Sequence, residues 1–295
     1  MDEKPKLSYK QLVEILGLLG VRADGADIRA FTADEDGSEY AVWHVNTPEG
    51  EYVLKRAKEY ELEAYRCFFA EKKAYAPEFF GWAEYDGSDY LLMEYCGGET
   101  LSRCERGKLI KALDALIAMQ AEFWERRELC GPIVTVENSL EGIERRGTFL
   151  GSERLERVYA DFIEVYKTAA RTLCHDDLLP FNLLIGERAV LIDWEYGGIL
   201  PYPASLARLI AHGREDEDAF FYMTEEDRGF AIEYYYEKLI KNRGIPYEEY
   251  RRTLDYFLFY EYCEWIMLGN RYDSRDDERY GYSMKKAEEL SGKLL

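Results

Sequence analysis

Apolar positions recur at helical spacing between residues 9 and 20, where Leu12, Val13, Ile15, Leu16 and Leu19 share one face and Gly20 ends the run. That pattern predicts a short amphipathic helix. The period then changes to that of strands. Residues 27–33, 38–47 and 51–57 read as three strands, separated by Asp36-Gly37 and Pro48-Glu49-Gly50. Residues 58–74 return to a helical period. Residues 79–83 and 90–95 form two more strands around Asp86-Gly87, a hairpin signal. A longer helix is predicted over 108–128, with Leu109, Leu113, Leu116, Ile117, Phe123 and Trp124 inward. Residues 131–151 are broken by Gly131, Pro132, Gly142, Gly147 and Gly151. They read either as a substrate-side insertion or as an ordinary surface loop. Residues 152–171 are helical again. After Pro201 and Pro203 a helix starts at Ala204, and three more cover roughly 217–243, 247–270 and 282–294. No internal repeat, low-complexity tract or linker divides the chain into independent domains.

The chemistry concentrates between Leu173 and Gly198. Leu183 to Ile185 and Val190 to Ile192 are two short apolar runs joined at Gly186-Glu187-Arg188, which predicts a hairpin. Its two open ends carry Asn182 and Asp193, side by side. Asp177, five residues before Asn182, lies on the loop leading in. Three oxygen-bearing side chains thus converge on one point. Magnesium takes oxygen ligands, commonly one or two carboxylates plus phosphates. Kinase catalytic loops use this layout: an Asp accepts the substrate hydroxyl proton, an Asn five residues later holds metal, and an Asp on the next strand holds metal too.

His175-Asp176-Asp177-Leu178-Leu179-Pro180-Phe181-Asn182 resembles the catalytic loop of the aminoglycoside phosphotransferase and choline kinase superfamily. Ile192-Asp193-Trp194-Glu195-Tyr196 resembles the metal-binding strand of its choline kinase branch. The resemblance is strong over 173–198 and traceable from about 27 to 270. It implies an α+β, bilobal, protein-kinase-like fold, with an antiparallel-sheet N-lobe over 1–95 and a mainly helical C-lobe over 96–295. It also implies transfer of the γ-phosphate of ATP, with Mg2+, to a hydroxyl of a small molecule. Two positions depart from the family pattern. Asp176 stands where relatives usually carry Gly or Arg, and Ser205 stands about where relatives often carry an Asp that props up the catalytic loop.

Carried over residue by residue, the resemblance makes Asp177 the catalytic base and Asn182 and Asp193 the metal ligands. Strand alternation puts Val53 and Lys55 on one face, and Lys55 matches the family's phosphate-pairing Lys. Glu61 is favoured over Glu63 as the residue that orients it. Ser38 is the candidate phosphate contact in the first turn, which holds one Gly and three acids, Asp34, Glu35 and Asp36. Leu91 to Gly98 resembles the hinge between lobes, with Met93 as gatekeeper and the backbone of Glu94 to Cys96 at adenine. Glu195 is either an auxiliary metal contact or solvated. No long activation segment ending in Ala-Pro-Glu follows Gly198, which favours a small-molecule acceptor over a protein.

Charge sharpens this picture. The chain carries 58 acidic and 38 basic residues, a net charge of −20. A nucleic-acid binder needs a basic field, so that class is disfavoured, as is docking on anionic lipid. The six cysteines are scattered, with no Cys-x-x-Cys pair and only three histidines, so a zinc site is not expected and the thiols read as reduced. The N-terminus shows no apolar signal region and no run approaches membrane-spanning length. A cytoplasmic protein is expected, with a small-molecule substrate, no nucleic-acid or membrane partner, and no evident obligate protein partner. An acidic field suits a cationic acceptor, choline-like or aminoglycoside. Glu261 and Trp265, on the helix from Tyr247, are the residues expected to meet its ammonium group. Alternatively, Glu261 pairs with an arginine such as Arg208. The competing functional class is a weak or inactive pseudokinase that binds without catalysing.

Overall fold

In the computed structural model, residues 7–33, 37–126 and 131–295 are described. The first helix, α1 (Tyr9–Leu18), opens on a reciprocal cap. Ser8 Oγ accepts from the Gln11 N–H at 3.4 Å, and Gln11 Oε1 accepts from the Ser8 N–H at 2.9 Å. These bonds satisfy backbone donors that a helix start leaves open. The strands β1 (Asp27–Thr32), β2 (Glu39–Thr47), β3 (Gly50–Arg56), β4 (Phe79–Tyr85) and β5 (Ser88–Glu94) form one antiparallel sheet in the order β1-β2-β3-β5-β4. One face packs on α1: Leu12, Ile15 and Leu16 share a core with Trp43, Val45, Leu54, Tyr90 and Leu92. The other face turns towards α2 (Glu61–Phe68), which is shorter than the 58–74 expected.

The rest of the chain is mainly helical around a second, larger core. β6 (Glu99–Thr100) leads to α3 (Arg106–Glu122). The stretch over 131–151 is more regular than its glycines suggest. It contains β7 (Val134–Thr135) and α4 (Val136–Gly147), started by a capping box between Thr135 and Asn138. α5 (Glu153–Thr168) then leads into β8 (Arg171–His175). The expected hairpin is β9 (Leu183–Ile185) and β10 (Ala189–Leu191), with Leu183 opposite Leu191. β11 (Gly197–Pro201) was not expected. It pairs antiparallel with β8, placing Gly197 opposite His175, and parallel with β7. The helices α6 (Pro203–Ala211), α7 (Glu225–Tyr235), α8 (Tyr247–Tyr272) and α9 (Glu278–Leu294) complete the fold.

Two glycines are required by close approach. A Cβ on Gly98 would lie 2.8 Å from the backbone of Ile185, and φ there is +157°. A Cβ on Gly198 would lie 1.9 Å from the Val134 carbonyl oxygen. The first lets the hinge segment sit on the β9–β10 hairpin. The second lets β7 pair with β11. Both contacts hold the strands that flank the catalytic loop.

One cysteine departs from the expected reduced state: Cys67, on α2, is disulfide-bonded. Cys96, Cys104, Cys174 and Cys263 are free thiols. Among the described residues, no helix is long and apolar enough to cross a membrane.

Candidate active site

β3 delivers Lys55 to the face opposite Leu54, and the side chain is only 7% exposed. Its Nζ donates to Glu61 Oε1 at 2.6 Å and also to Asp193 Oδ1. Glu61 is fully buried at the first turn of α2. Glu63 instead accepts from Arg66 at 2.8 Å, so of the two candidates Glu61 is the one that meets Lys55. Burial disfavours the Lys55 charge, but Glu61 and Asp193 outweigh it and hold its pKa above the ordinary lysine value. Burial likewise opposes the Asp193 charge, and Lys55 outweighs it, so Asp193 sits below the usual carboxylate value. The pair is therefore ionised at neutral pH.

Asp193 follows β10 with φ +66°, a left-handed conformation that turns the chain sharply into Trp194. The Ile192 N–H donates to the Asn182 carbonyl at 3.0 Å, so the two open ends of the hairpin are bonded together. Asn182 is buried, and its Nδ2 donates to the Asp177 carbonyl at 2.8 Å. That turns the amide nitrogen into the loop. Among the described residues, Asn182 Oδ1 forms no hydrogen bond. An amide oxygen and the Asp193 carboxylate are the kinds of donor that suit magnesium.

His175 is fully buried with its ring 4.7 Å from that of Trp194. Its Nε2 lies 2.7 Å from the Ile192 carbonyl. A carbonyl only accepts, so Nε2 carries the proton. Burial lowers the pKa of this ring, which stays neutral. His175 thus ties the start of the catalytic loop to the strand that ends in Asp193. Asp176 is exposed. Asp177 is half-buried, and its Oδ1 accepts from Arg208 Nη2 at 2.9 Å.

Arg208, on α6, joins this cluster, and the sequence named it only as an alternative partner of Glu261. Besides Asp177 it donates to Glu261 Oε2 at 2.9 Å and to Glu264 Oε2. His212 Nε2 lies 3.2 Å from the same Glu261 oxygen. Glu261 is only 6% exposed. It does not present a free carboxylate to an ammonium group, because a buried charge needs a partner and Arg208 supplies it. His212, Glu261 and Glu264 stand close enough to ligate a metal, yet the guanidinium already bonds both carboxylates. Trp265 lines a cavity that also includes Leu179 and Phe181 of the loop, with the Arg279 guanidinium 4.1 Å from its ring centroid.

The remaining candidates divide. Met93 is buried at the end of β5, where the Tyr65 hydroxyl contacts its sulfur at 3.5 Å. The Glu94 side chain bonds Arg188 of the β9–β10 turn and accepts from the Glu78 N–H at 3.1 Å. Burial pushes the Cys96 thiol up to about 11, so it is not a nucleophile at neutral pH. Ser38 is exposed, and its carbonyl accepts from the Ala33 N–H at 2.8 Å. Asp34, Glu35 and Asp36 lie outside the described residues. Glu195 is half-buried, 3.6 Å from Lys58 Nζ.

Residues 30–239 match the family model of the phosphotransferase enzyme family. The LicA protein of Haemophilus influenzae is 26% identical over 136 residues, 45% of this chain and 48% of that protein. The matched region thus spans about half the length of that curated relative. Among solved structures, choline kinase from Cryptosporidium parvum superposes with a TM-score of 0.64 at 12% identity, over 97% of each chain. An aminoglycoside phosphotransferase from Streptomyces rimosus, solved with ADP and streptomycin, superposes with a TM-score of 0.54 at 18% identity, over 87% of this chain and 98% of that one.

Proposed function

We propose, because this chain belongs to the phosphotransferase enzyme family, that it transfers the γ-phosphate of ATP to a hydroxyl of a small molecule. The observation that carries the reading is Lys55 held by both Glu61 and Asp193. It brings a phosphate-pairing cation from the sheet to the metal-side carboxylate of the catalytic loop. ATP would lie between the unit that ends near Tyr95 and the one that follows, with its adenine at Glu94 to Cys96 and Met93 behind it.

Asn182 and Asp193 would hold Mg2+, which when bound offsets the charge of the phosphate oxygens. Lys55 binds and orients those oxygens. Asp177 orients the acceptor hydroxyl and takes its proton as the oxygen attacks. Arg208 fixes the Asp177 carboxylate through Oδ1, and Asn182 Nδ2 donates to Oδ2 at 3.4 Å. Ser38 and the backbone around it would cover the phosphates. Catalysis then rests on positioning and on charge set in place before the reaction.

The acceptor is, in this reading, a hydroxylated cation. A cavity of about 320 Å³ lies beside the catalytic loop, walled by Phe181, Phe220, Phe221, Trp265 and Tyr282. Its three arginines are outnumbered by the carboxylates that pair with them. Arg208 meets Asp177, Glu261 and Glu264, Arg214 meets Glu278, and Arg279 meets Asp277. Aromatic faces hold an ammonium group by cation–π attraction, and each arginine of the lining is already paired with a carboxylate. Glu195 remains a candidate auxiliary metal contact beside Asp193.

The second reading is a pseudokinase that binds nucleotide without transferring phosphate, favoured by the acids of the first turn. Measuring ADP release against a panel of amino alcohols, aminoglycosides and sugars separates the two. Acceptor-dependent ADP release supports the kinase. Mg-ATP binding without release under every acceptor supports the pseudokinase.

A further inference from the structure

A second hollow, of about 240 Å³, lies on the other side of Glu264 from the aromatic cavity. Arg145, Arg146 and Arg271 line it, with Phe149, Met267 and Leu268 as its apolar floor. In a chain with a net charge of −20, three guanidiniums around one hollow run against the overall field. Among the described residues, Arg145 and Arg271 form no ion pair. Arg271 stacks near Phe149 and Tyr272, and Arg146 donates to the Tyr260 hydroxyl at 2.6 Å.

The lining does not balance them. Arg145 and Arg146 sit in the last turn of α4, and Arg271 sits in the last turn of α8. Each helix end offers about half a negative charge. Glu264 is the one acid in the wall, and Arg208 already bonds it. Three guanidiniums therefore face roughly one negative charge from the two helix ends, together with Asp176 and Glu264, whose charges act on Arg146. The lining itself carries three guanidiniums against one carboxylate, in a place water can enter.

Its position ties it to the chemistry. Glu264 borders both hollows, and Arg208 connects Glu264 to Asp177. Asp176, next to the base, is pushed up to about 6 by its surroundings and by Glu261, against the pull of Arg208 and Arg146. We propose that the arginine hollow is an anion subsite of the acceptor site. The acceptor then carries a carboxylate or phosphate group in addition to its hydroxyl and ammonium groups. This rests on the kinase reading above and adds the anionic group to it. Guanidinium forks match both oxyanions through paired N–H bonds, and the loosely tethered arginines are free to turn towards them.

The test uses matched acceptors in ADP-release assays: choline against carnitine, and ethanolamine against serine. Each pair differs chiefly by an added carboxylate. The expected result is a higher kcat/KM for the carboxylated member of at least one pair, by about tenfold or more. In the R145Q/R146Q/R271Q variant that ratio falls towards one through KM. Should the triple variant not fold, R145Q and R271Q are measured singly, each lowering the ratio. Equal kcat/KM within both pairs, or a ratio unchanged in the variants, overturns the proposal. Titration with inorganic phosphate in the absence of nucleotide decides the subsite separately from the kinase reading. Binding lost in the triple variant supports the subsite even if no acceptor releases ADP. Failure of Mg-ATP to bind overturns the kinase reading alone.

Discussion

Ser205 Oγ accepts a hydrogen bond from the His175 N–H at 2.9 Å and donates one back to the His175 carbonyl at 3.3 Å. Both residues are fully buried. The pair joins the first turns of α6 to the start of the catalytic loop. A carboxylate at Ser205 could accept from the same N–H but could not donate to the carbonyl. The hydroxyl does both, so the departure from the family pattern leaves the loop tethered.

Ser205→Ala removes both bonds and leaves a buried N–H without its partner. The expected cost is about 1–3 kcal/mol, read as a melting-temperature drop of several degrees. Phosphate transfer should slow as the loop loosens, with Mg-ATP binding retained. An unchanged melting temperature would show that water replaces the hydroxyl.

The catalytic loop was legible because its parts lie close in sequence. Five residues separate Asp177 from Asn182, and one hairpin brings Asp193 alongside. The Lys55–Glu61 pair was legible too, because strand and helix periodicity constrain both faces. Arg208 was harder. Its partners Asp177, Glu261 and Glu264 come from 31 to 56 positions away, so only the packing of α6 on α8 brings them together. The sequence named Arg208 as an alternative partner of Glu261, but nothing local decided between that and an ammonium group. β11 was missed because Gly197-Gly198 reads as a loop until β7 needs the room a glycine leaves. α4 had a readable signal in the Thr135-to-Asn138 capping spacing, masked by the glycines around it.

Mg-ATP should raise the melting temperature of the wild-type protein, because Lys55, Asn182 and Asp193 hold the charges and oxygens it needs. Asp193→Ala should abolish that rise. The check is differential scanning fluorimetry with and without magnesium. A rise of the same size in the variant would remove Asp193 from the metal site.

Asp177→Asn keeps the size of the side chain and removes the base. The expected outcome is Mg-ATP binding close to wild type with transfer reduced by about two to four orders of magnitude. Calorimetry and ADP release check the two halves independently. Transfer at the wild-type rate would mean that another group takes the proton.

The Lys55–Asp193 pair also sets a pH dependence. Asp193 lies below its ordinary value in the fold despite its burial, because of Lys55. The unfolded chain therefore binds more protons at this group than the folded one. Its contribution to stability is complete above the unfolded value of about 4, and is lost as pH falls through the folded value. Urea unfolding of wild type and Asp193→Asn should differ more at about pH 7 than at about pH 3. A gap that held or widened on acidification would reverse the sign of this coupling.

Arg208 and Glu261 decide whether the carboxylate inside α8 serves structure or ligand. Arg208→Ala leaves Glu261 buried with only His212 near it, and breaking such a pair from one side costs about 3–5 kcal/mol. Glu261→Gln removes the charge that would be stranded. The double variant should therefore be less destabilised than the sum of the two single variants, by about 0.5–3 kcal/mol of coupling. Glu264 and Asp177 also lose their guanidinium in Arg208→Ala, so the coupling recovers part of the loss and not all of it. Denaturant unfolding of the four proteins gives the cycle. If Glu261 instead met the ammonium group of an acceptor, Glu261→Gln would raise KM for a cationic acceptor while the cycle closed with no coupling. The buried, twice-contacted Glu261 Oε2 predicts the opposite: a clear coupling in stability, and a KM for the cation that follows Trp265 and the aromatic wall.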